Sequence, residues 1–266
     1  MRIGVSEHGE GLSKPVILPT PSNFEEGFGM LMEQSRMLVS GKKISAVVGG
    51  LAGSLDRNRE VLVNGLNIAS WIGKPVKKEL EKEFQSLVVL ENDAALAGLG
   101  EAVDGAGKEH EIVAYITVST GVGGARITNK RIDARVYGFE PGFQIIDAGH
   151  GLCAQCVKPY LNVHISGRGM EKRCGKKPED ISDPAVWDDV AKHLSLGLHN
   201  TIVHWSPDIV VLGGSVMKSI SMEQVRIYLK ETLKVYPEIP LIEPALLDDL
   251  GGLHGALHLA RTQYSA

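Results

Sequence analysis

Cysteine is scarce in this chain, with three in 266 residues and two of them close together. That is too few for a disulfide framework and fits a reducing compartment, the cytoplasm. Aromatic residues make up only 5%. No apolar run approaches the roughly 20 residues needed to span a bilayer. The opening Met1-Arg2-Ile3-Gly4-Val5-Ser6-Glu7 lacks the apolar stretch of a signal peptide. Excess positive charge is missing too: the formal net charge is −4, which offers no basic face to nucleic acid or to an anionic membrane. There is no short-period repeat and no low-complexity linker. What remains is ordinary globular composition, 43% hydrophobic and 23% charged, in a chain long enough for one or two domains. The 31 glycines suggest an α/β protein with tight strand–loop–helix junctions.

The elements follow from pattern. Met1 to Val5 reads as a strand partnered by Pro15 to Leu18. Ser22 or Asn23 caps a helix with Glu25 and Glu26 in its first turn, and Gly41 ends it. Ile44 to Val48 is a strand, Val76 to Phe84 a charged helix, Leu87 to Leu90 a buried strand and Ala94 to Val103 a helix. Residues 112–136 alternate as hairpins, with Asn129-Lys130 as a turn. Asp183-Pro184 opens a long helix that closes at Ser206-Pro207. Ile209 to Leu212 is a buried strand, and Gly213-Gly214-Ser215 leads into a helix. Further helices cover Gln224 to Leu233 and the small-residue stretch Gly251 to Ala260.

Two stretches carry chemistry. Glu91-Asn92-Asp93 sits at the end of the Leu87 strand, where Asp93 can cap the next helix or accept a proton from a hydroxyl. Thr117-Val118-Ser119-Thr120-Gly121-Val122-Gly123-Gly124 can be a plain turn, or a nest of backbone N–H groups and hydroxyls for phosphate. Gly213-Gly214-Ser215 adds a glycine junction between strand and helix, weak by itself but suited to a nucleotide over a strand end. A carboxylate base and an anion cradle are the parts of phosphoryl transfer to a hydroxyl.

In order along the chain, these stretches resemble the ROK family of sugar kinases, within the actin/hexokinase-like superfamily. Asn67-Ile68-Ala69-Ser70-Trp71 is similar to its sugar-lobe loop, Gly138-Phe139-Glu140-Pro141-Gly142 to its sugar-binding glutamate motif, Ser166-Gly167-Arg168 to its Ser-Gly segment, and Asp208 to Ser215 to its adenosine motif. The resemblance implies a two-lobed α/β fold of actin-like ATPase (ribonuclease H-like) type, with the nucleotide and sugar cleft between lobes. The expected lobes are 1–95 and 96–266, with a final helix at 252–264 packing back on the first. It implies Asp93 as catalytic base and Asn67, Asn92, Asp93, Glu140 and Asn162 around a hexose or N-acetylhexosamine. It places the nucleotide on Ser119, Thr120, Gly121, Gly123, Gly124, Gly213 and Gly214. ATP and Mg²⁺ are the implied cofactors, and a homodimer the implied assembly. The implied reaction is phosphorylation of the sugar 6-hydroxyl, with glucose first among substrates.

The chain also departs from the family pattern. The family's opening strand and Asp-x-Gly-Gly-Thr phosphate loop are not found, because Met1-Arg2-Ile3-Gly4-Val5 matches the strand after that loop. Phe143 replaces a histidine that binds both sugar and a structural zinc, Tyr160 replaces a zinc cysteine, and Asn162 replaces a glutamate. Cys153 and Cys156 keep a two-thiolate knuckle for zinc, with His150, His164 or Cys174 as further ligands. The departures give an alternative expectation: a catalytically impaired relative that binds sugar or regulates. His193, His199 and His204 read as partners of local polar groups, while His254 and His258 at i, i+4 have the spacing of a metal pair but no acidic neighbour between them.

Overall fold

In a computed structural model, the structure describes residues 1–65, 67–149, 151–152 and 158–264. Strand β1 (Arg2–Ile3) pairs antiparallel with β2 (Val16–Ile17). Helix α1 (Phe24–Val39) starts at Asn23, whose side chain accepts the Glu26 N–H at 2.9 Å, which decides between the two expected caps. It stops where Ser40 turns left-handed (φ 50°) one residue before Gly41. Strand β3 (Ala46–Leu51) is followed by the small hairpin β4 (Ser54–Leu55) and β5 (Leu62–Asn64), then helix α2 (Val76–Phe84). Strand β6 (Leu87–Asn92) lies parallel to β3, matching Ala46 to Leu87 and Leu51 to Asn92. Helix α3 (Asp93–Val103) continues without a break.

The larger sheet has five strands. Strands β7 (Ile112–Val118) and β8 (Val122–Thr128) form a tight hairpin joined by Ser119-Thr120-Gly121, and β9 (Arg131–Ile132) follows. Asn129 and Lys130 both take positive φ, 50° and 58°, as a two-residue hairpin turn requires. Short helices α4 (Leu161–Ile165) and α5 (Gly167–Cys174) precede the long α6 (Pro184–Trp205), capped by Asp183 with Pro184 in its first turn. Strand β10 (Ile209–Gly213) sits between β7 and β11 (Leu241–Pro244), parallel to both, and all five of its residues are buried. Such a strand reads as a continuous apolar run because both faces are covered. Helix α7 (Met222–Thr232) lies between β10 and β11, and α8 (Gly251–Tyr264) ends the chain. The helix expected directly after Gly213-Gly214-Ser215 is instead a short 3₁₀ segment, Ser215–Ser219, because Ser221 then caps α7.

The buried side chains gather in separate clusters. One lies within residues 24–90, around Leu55, Leu62, Trp71 and Leu90. Another joins β7, β10, α4 and α6 through Ile116, Ile165, Leu194 and Leu212. Helix α8 packs against α3 and β3. Its closeness to α3 depends on glycine: a Cβ on Gly255 would lie 1.9 Å from the Leu96 carbonyl oxygen, and one on Gly100 would lie 2.1 Å from that of Gly251. No helix among the described residues is long and apolar enough to cross a membrane.

Candidate active site

A cleft of about 1680 Å³ opens between the two clusters, and Asp93, Glu140, Asn67, Thr120 and Gly214 all line it. Asp93 is the first residue of α3, directly beyond β6. Its Oδ1 accepts the N–H of Ala94 at 2.8 Å. The side chain is open to water from the cleft but lies deep between protein walls. Loss of bulk solvent there is the main cause that pushes its carboxyl up to about 6, with Glu140 adding charge repulsion and backbone N–H groups opposing.

The capping role falls to Asn92 rather than Asp93. Asn92 Oδ1 accepts the Ala95 N–H at 3.0 Å, and its Nδ2 donates to the Gly53 carbonyl at 2.9 Å. Asp93 is thereby free of capping duty, while Asn92 is held between α3 and the β4–β5 hairpin. Glu140 stands on the opposite wall, next to a 3₁₀ turn at Pro141–Phe143. Its Oε1 accepts the Ser54 hydroxyl at 2.8 Å, which crosses the cleft. A second bridge runs from Arg168 Nη2 to Asn67 Oδ1 at 3.0 Å.

The glycine elements meet at the other end. The Ser119-Thr120-Gly121 turn is fixed from behind, because Gly167 N–H donates to the Ser119 carbonyl (2.7 Å) and Arg168 N–H to that of Thr120 (3.3 Å). Asn162 Oδ1 accepts the Val122 N–H at 2.9 Å. Asn162, expected at the sugar, thus buttresses the Ser119-Thr120-Gly121 turn with its carbonyl oxygen, and its amide NH₂ remains a donor. The Ser119 and Ser215 hydroxyls lie 3.2 Å apart, joining this turn to the β10 junction. Gly214 has φ 99°, and a Cβ there would lie 2.3 Å from the Val118 carbonyl oxygen, so only glycine fits. Gly213 lies against Tyr115, whose phenol burial pushes up to about 12. Gly123 and Gly124 lie in β8, opposite Thr117 and Ile116.

The zinc expectation falls largely outside the described residues, since His150, Cys153 and Cys156 are not among them. Of the remaining candidates, His164 is buried with its Nε2 3.8 Å from Asp147 Oδ2 and its ring against His193, and Cys174 is a free thiol at the end of α5. The described residues include no group of three or more histidine, cysteine or acidic side chains placed to hold a metal. His254 pairs with Asp104 at 2.8 Å and His258 faces the Lys130 carbonyl at 3.1 Å, so the i, i+4 pair is engaged locally.

Sequence reasoning missed three buried charges. Glu101 accepts the N–H groups of Ala106, Leu246 and Leu247, and an acid inside the apolar run Ala94 to Val103 was the signal for it. Glu91 and Arg135 pair beneath the cleft, and nothing local in the sequence links them.

The ROK family model matches residues 18–263. The chain belongs to the ROK family. This ROK chain is 33% identical over 247 residues to a glucokinase of Thermotoga maritima, with 81% of this chain and 78% of that protein covered. It is also 26% identical over 203 residues to the xylose repressor of Bacillus spizizenii, covering 70% of this chain and 52% of the repressor. It therefore spans about half the repressor's length. Its backbone matches that of a ROK glucokinase from Streptomyces griseus, solved with glucose and AMPPNP, at a TM-score of 0.81 and 24% identity, covering 98% and 96% of the two chains. The ROK fold is the two-lobed actin-like ATPase fold, and this chain is a sugar-kinase-like member of a family that also contains repressors.

Proposed function

We propose that this ROK protein is an ATP-dependent hexose kinase that phosphorylates the 6-hydroxyl of a hexose or N-acetylhexosamine, with glucose the first candidate. The observation that carries the reading is the placement of Asp93. A carboxylate that does not cap its helix, with its pKa raised to about 6, lines the same cleft as the Ser119-Thr120-Gly121 turn. As general base, Asp93 accepts the hydroxyl proton while holding that oxygen toward the phosphoryl group. Glu140, Asn92, Asn67 and the NH₂ of Asn162 grip the other hydroxyls. In this reading residues 1–95 form the smaller lobe and 96–266 the larger, with 252–264 returning to the first.

The nucleotide fits the glycine junctions. Ser119, Thr120 and Gly121, with Gly123 and Gly124 behind them, cradle phosphate, while the nucleoside lies over Gly213 and Gly214, glycines that the close packing of Tyr115 and the Val118 carbonyl requires. Mg²⁺ bound to the phosphates would neutralise charge in the transition state, and no residue here is assigned to it. A cytoplasmic homodimer completes the proposal.

A coupled ADP-release assay over a panel of hexoses tests it. Turnover with at least one sugar is expected, and a folded protein inert toward all of them overturns the reading. Asp93→Asn is expected to abolish turnover yet keep sugar affinity within about tenfold, because the base acts mainly in the transition state. A second reading, a sugar-binding regulator without catalysis, is favoured by Phe143 and Asn162 at positions where the family pattern has other groups. Calorimetry separates the two: the regulator binds sugar but not nucleotide.

A further inference from the structure

Beneath the cleft, three segments meet at one buried carboxylate. Glu91, the residue before Asn92-Asp93, is only 3% exposed. Its Oε1 accepts the Asn92 backbone N–H at 2.8 Å. Its Oε2 makes an ion pair with Arg135, whose side chain is 7% exposed, and lies 3.5 Å from Arg59 Nη1. Each arginine comes from a different piece of the site. Arg135 belongs to the segment that runs from β9 to Glu140, and its Nη1 donates to the Asp133 carbonyl at 3.1 Å. Arg59 stands at the tip of the β4–β5 hairpin with φ 55°, in a turn that Asp56 shapes by accepting the N–H groups of Glu60 and Val61. That hairpin begins at Gly53 and Ser54, which bond to Asn92 and Glu140. Arg57 lies over the Tyr137 ring at 5.8 Å and joins the same two segments again.

We propose that Glu91 is the positioning residue of the acceptor site. Held by Arg135 and Arg59, it sets the distance between the Asn92-Asp93 strand end and the loop that carries Glu140. The proposal rests on the sugar-binding reading above, and it assigns Glu91 no contact with substrate. The physical basis is burial. The Glu91–Arg135 pair is out of water, where separating the charges is costly, so here it holds the two segments at one spacing even if it adds little net stability. The segment before Glu140 has no regular secondary structure of its own after β9, and the Arg135 pair fixes it to β6.

The test compares wild type, Glu91→Gln, Arg135→Lys and the paired variant Glu91→Leu/Arg135→Met. The paired variant leaves no lone buried charge and so keeps the fold where a single change endangers it. Calorimetry measures glucose and AMPPNP separately, and hydrogen exchange reports on 133–142 and 53–60 against α6. Glucose affinity is expected to fall about tenfold or more in Glu91→Gln and in the paired variant, with AMPPNP affinity within about twofold. Exchange should quicken in the two named segments and stay unchanged in α6. Arg135→Lys, which keeps the charge opposite Glu91, should retain most of the wild-type glucose affinity. Equal loss for both ligands, unchanged glucose affinity, or unchanged exchange in both segments overturns the assignment. If wild type binds no hexose, the sugar reading fails while the exchange experiment still decides whether Glu91 sets the two segments.

Discussion

At the scale of single residues, Asp93 shows how position changes chemistry. A carboxylate at a helix start normally stays ionised and caps. Here Asn92 caps, and burial raises Asp93 to about 6. The base form is deprotonated, so kcat/KM for a turned-over hexose should rise with pH through about 6 and then level off, as a pH–rate profile would show. Stability should move the other way. The folded carboxyl holds its proton more tightly than the unfolded one, so between the ordinary carboxylate range and about pH 6 stability falls as pH rises. Asp93→Asn removes that cost, and thermal melts above pH 6 should show the variant at least as stable as wild type. Gly214→Ala meets both a left-handed φ and the Val118 carbonyl. A loss of about 2 kcal/mol or more in urea unfolding is expected, with weakened nucleotide binding. The identity of Asp93 and Gly214 as candidates was legible from their strand-end positions. The division of labour between Asn92 and Asp93 was not, because either side chain can cap and only the backbone angles choose.

Among elements, the junctions were more legible than their contents. Asp183-Pro184, Asn129-Lys130 and Asn23 act locally, through cap and turn geometry that a few residues dictate, so pattern located them. The 3₁₀ segment at Ser215–Ser219 escaped, although the stop before α7 is local: Ser221 Oγ accepts the Gln224 N–H at 3.3 Å. Glu101 is the clearest element-scale device. It sits 1% exposed on α3 and ties that helix to the loops at Ala106 and at Leu246-Leu247. Glu101→Ala leaves three N–H groups without an acceptor. The expected cost is about 3 kcal/mol or more by denaturant unfolding, with faster exchange at those three amides. Unchanged stability would mean that water replaces the carboxylate there.

The whole molecule depends on two helices passing within backbone contact. Helix α8, last in the chain, crosses α3, which carries Asp93 and joins β6 to the larger sheet. Gly255→Ala places a Cβ 1.9 Å from the Leu96 carbonyl oxygen, so the helices must separate. A stability loss of about 1–3 kcal/mol is expected, together with reduced turnover as Asp93 shifts. Differential scanning calorimetry and the ADP-release assay check the two parts. The β4–β5 hairpin, α4, α5 and β11 were not legible in the sequence, which by itself carried the order of the longer elements, the glycine junctions, the carboxylate at a strand end and the ordered motifs. Each of these is a short-range pattern of period, cap or turn. Only the tertiary structure decided the bridges across the cleft, Ser54 on Glu140 and Arg168 on Asn67, and the ion pairs of Glu91 with two arginines beneath it. Those pairs lie dozens of residues apart in sequence. Such distant partners come within reach only when the whole chain has packed, and of these only the Glu91–Arg135 pair is buried as well.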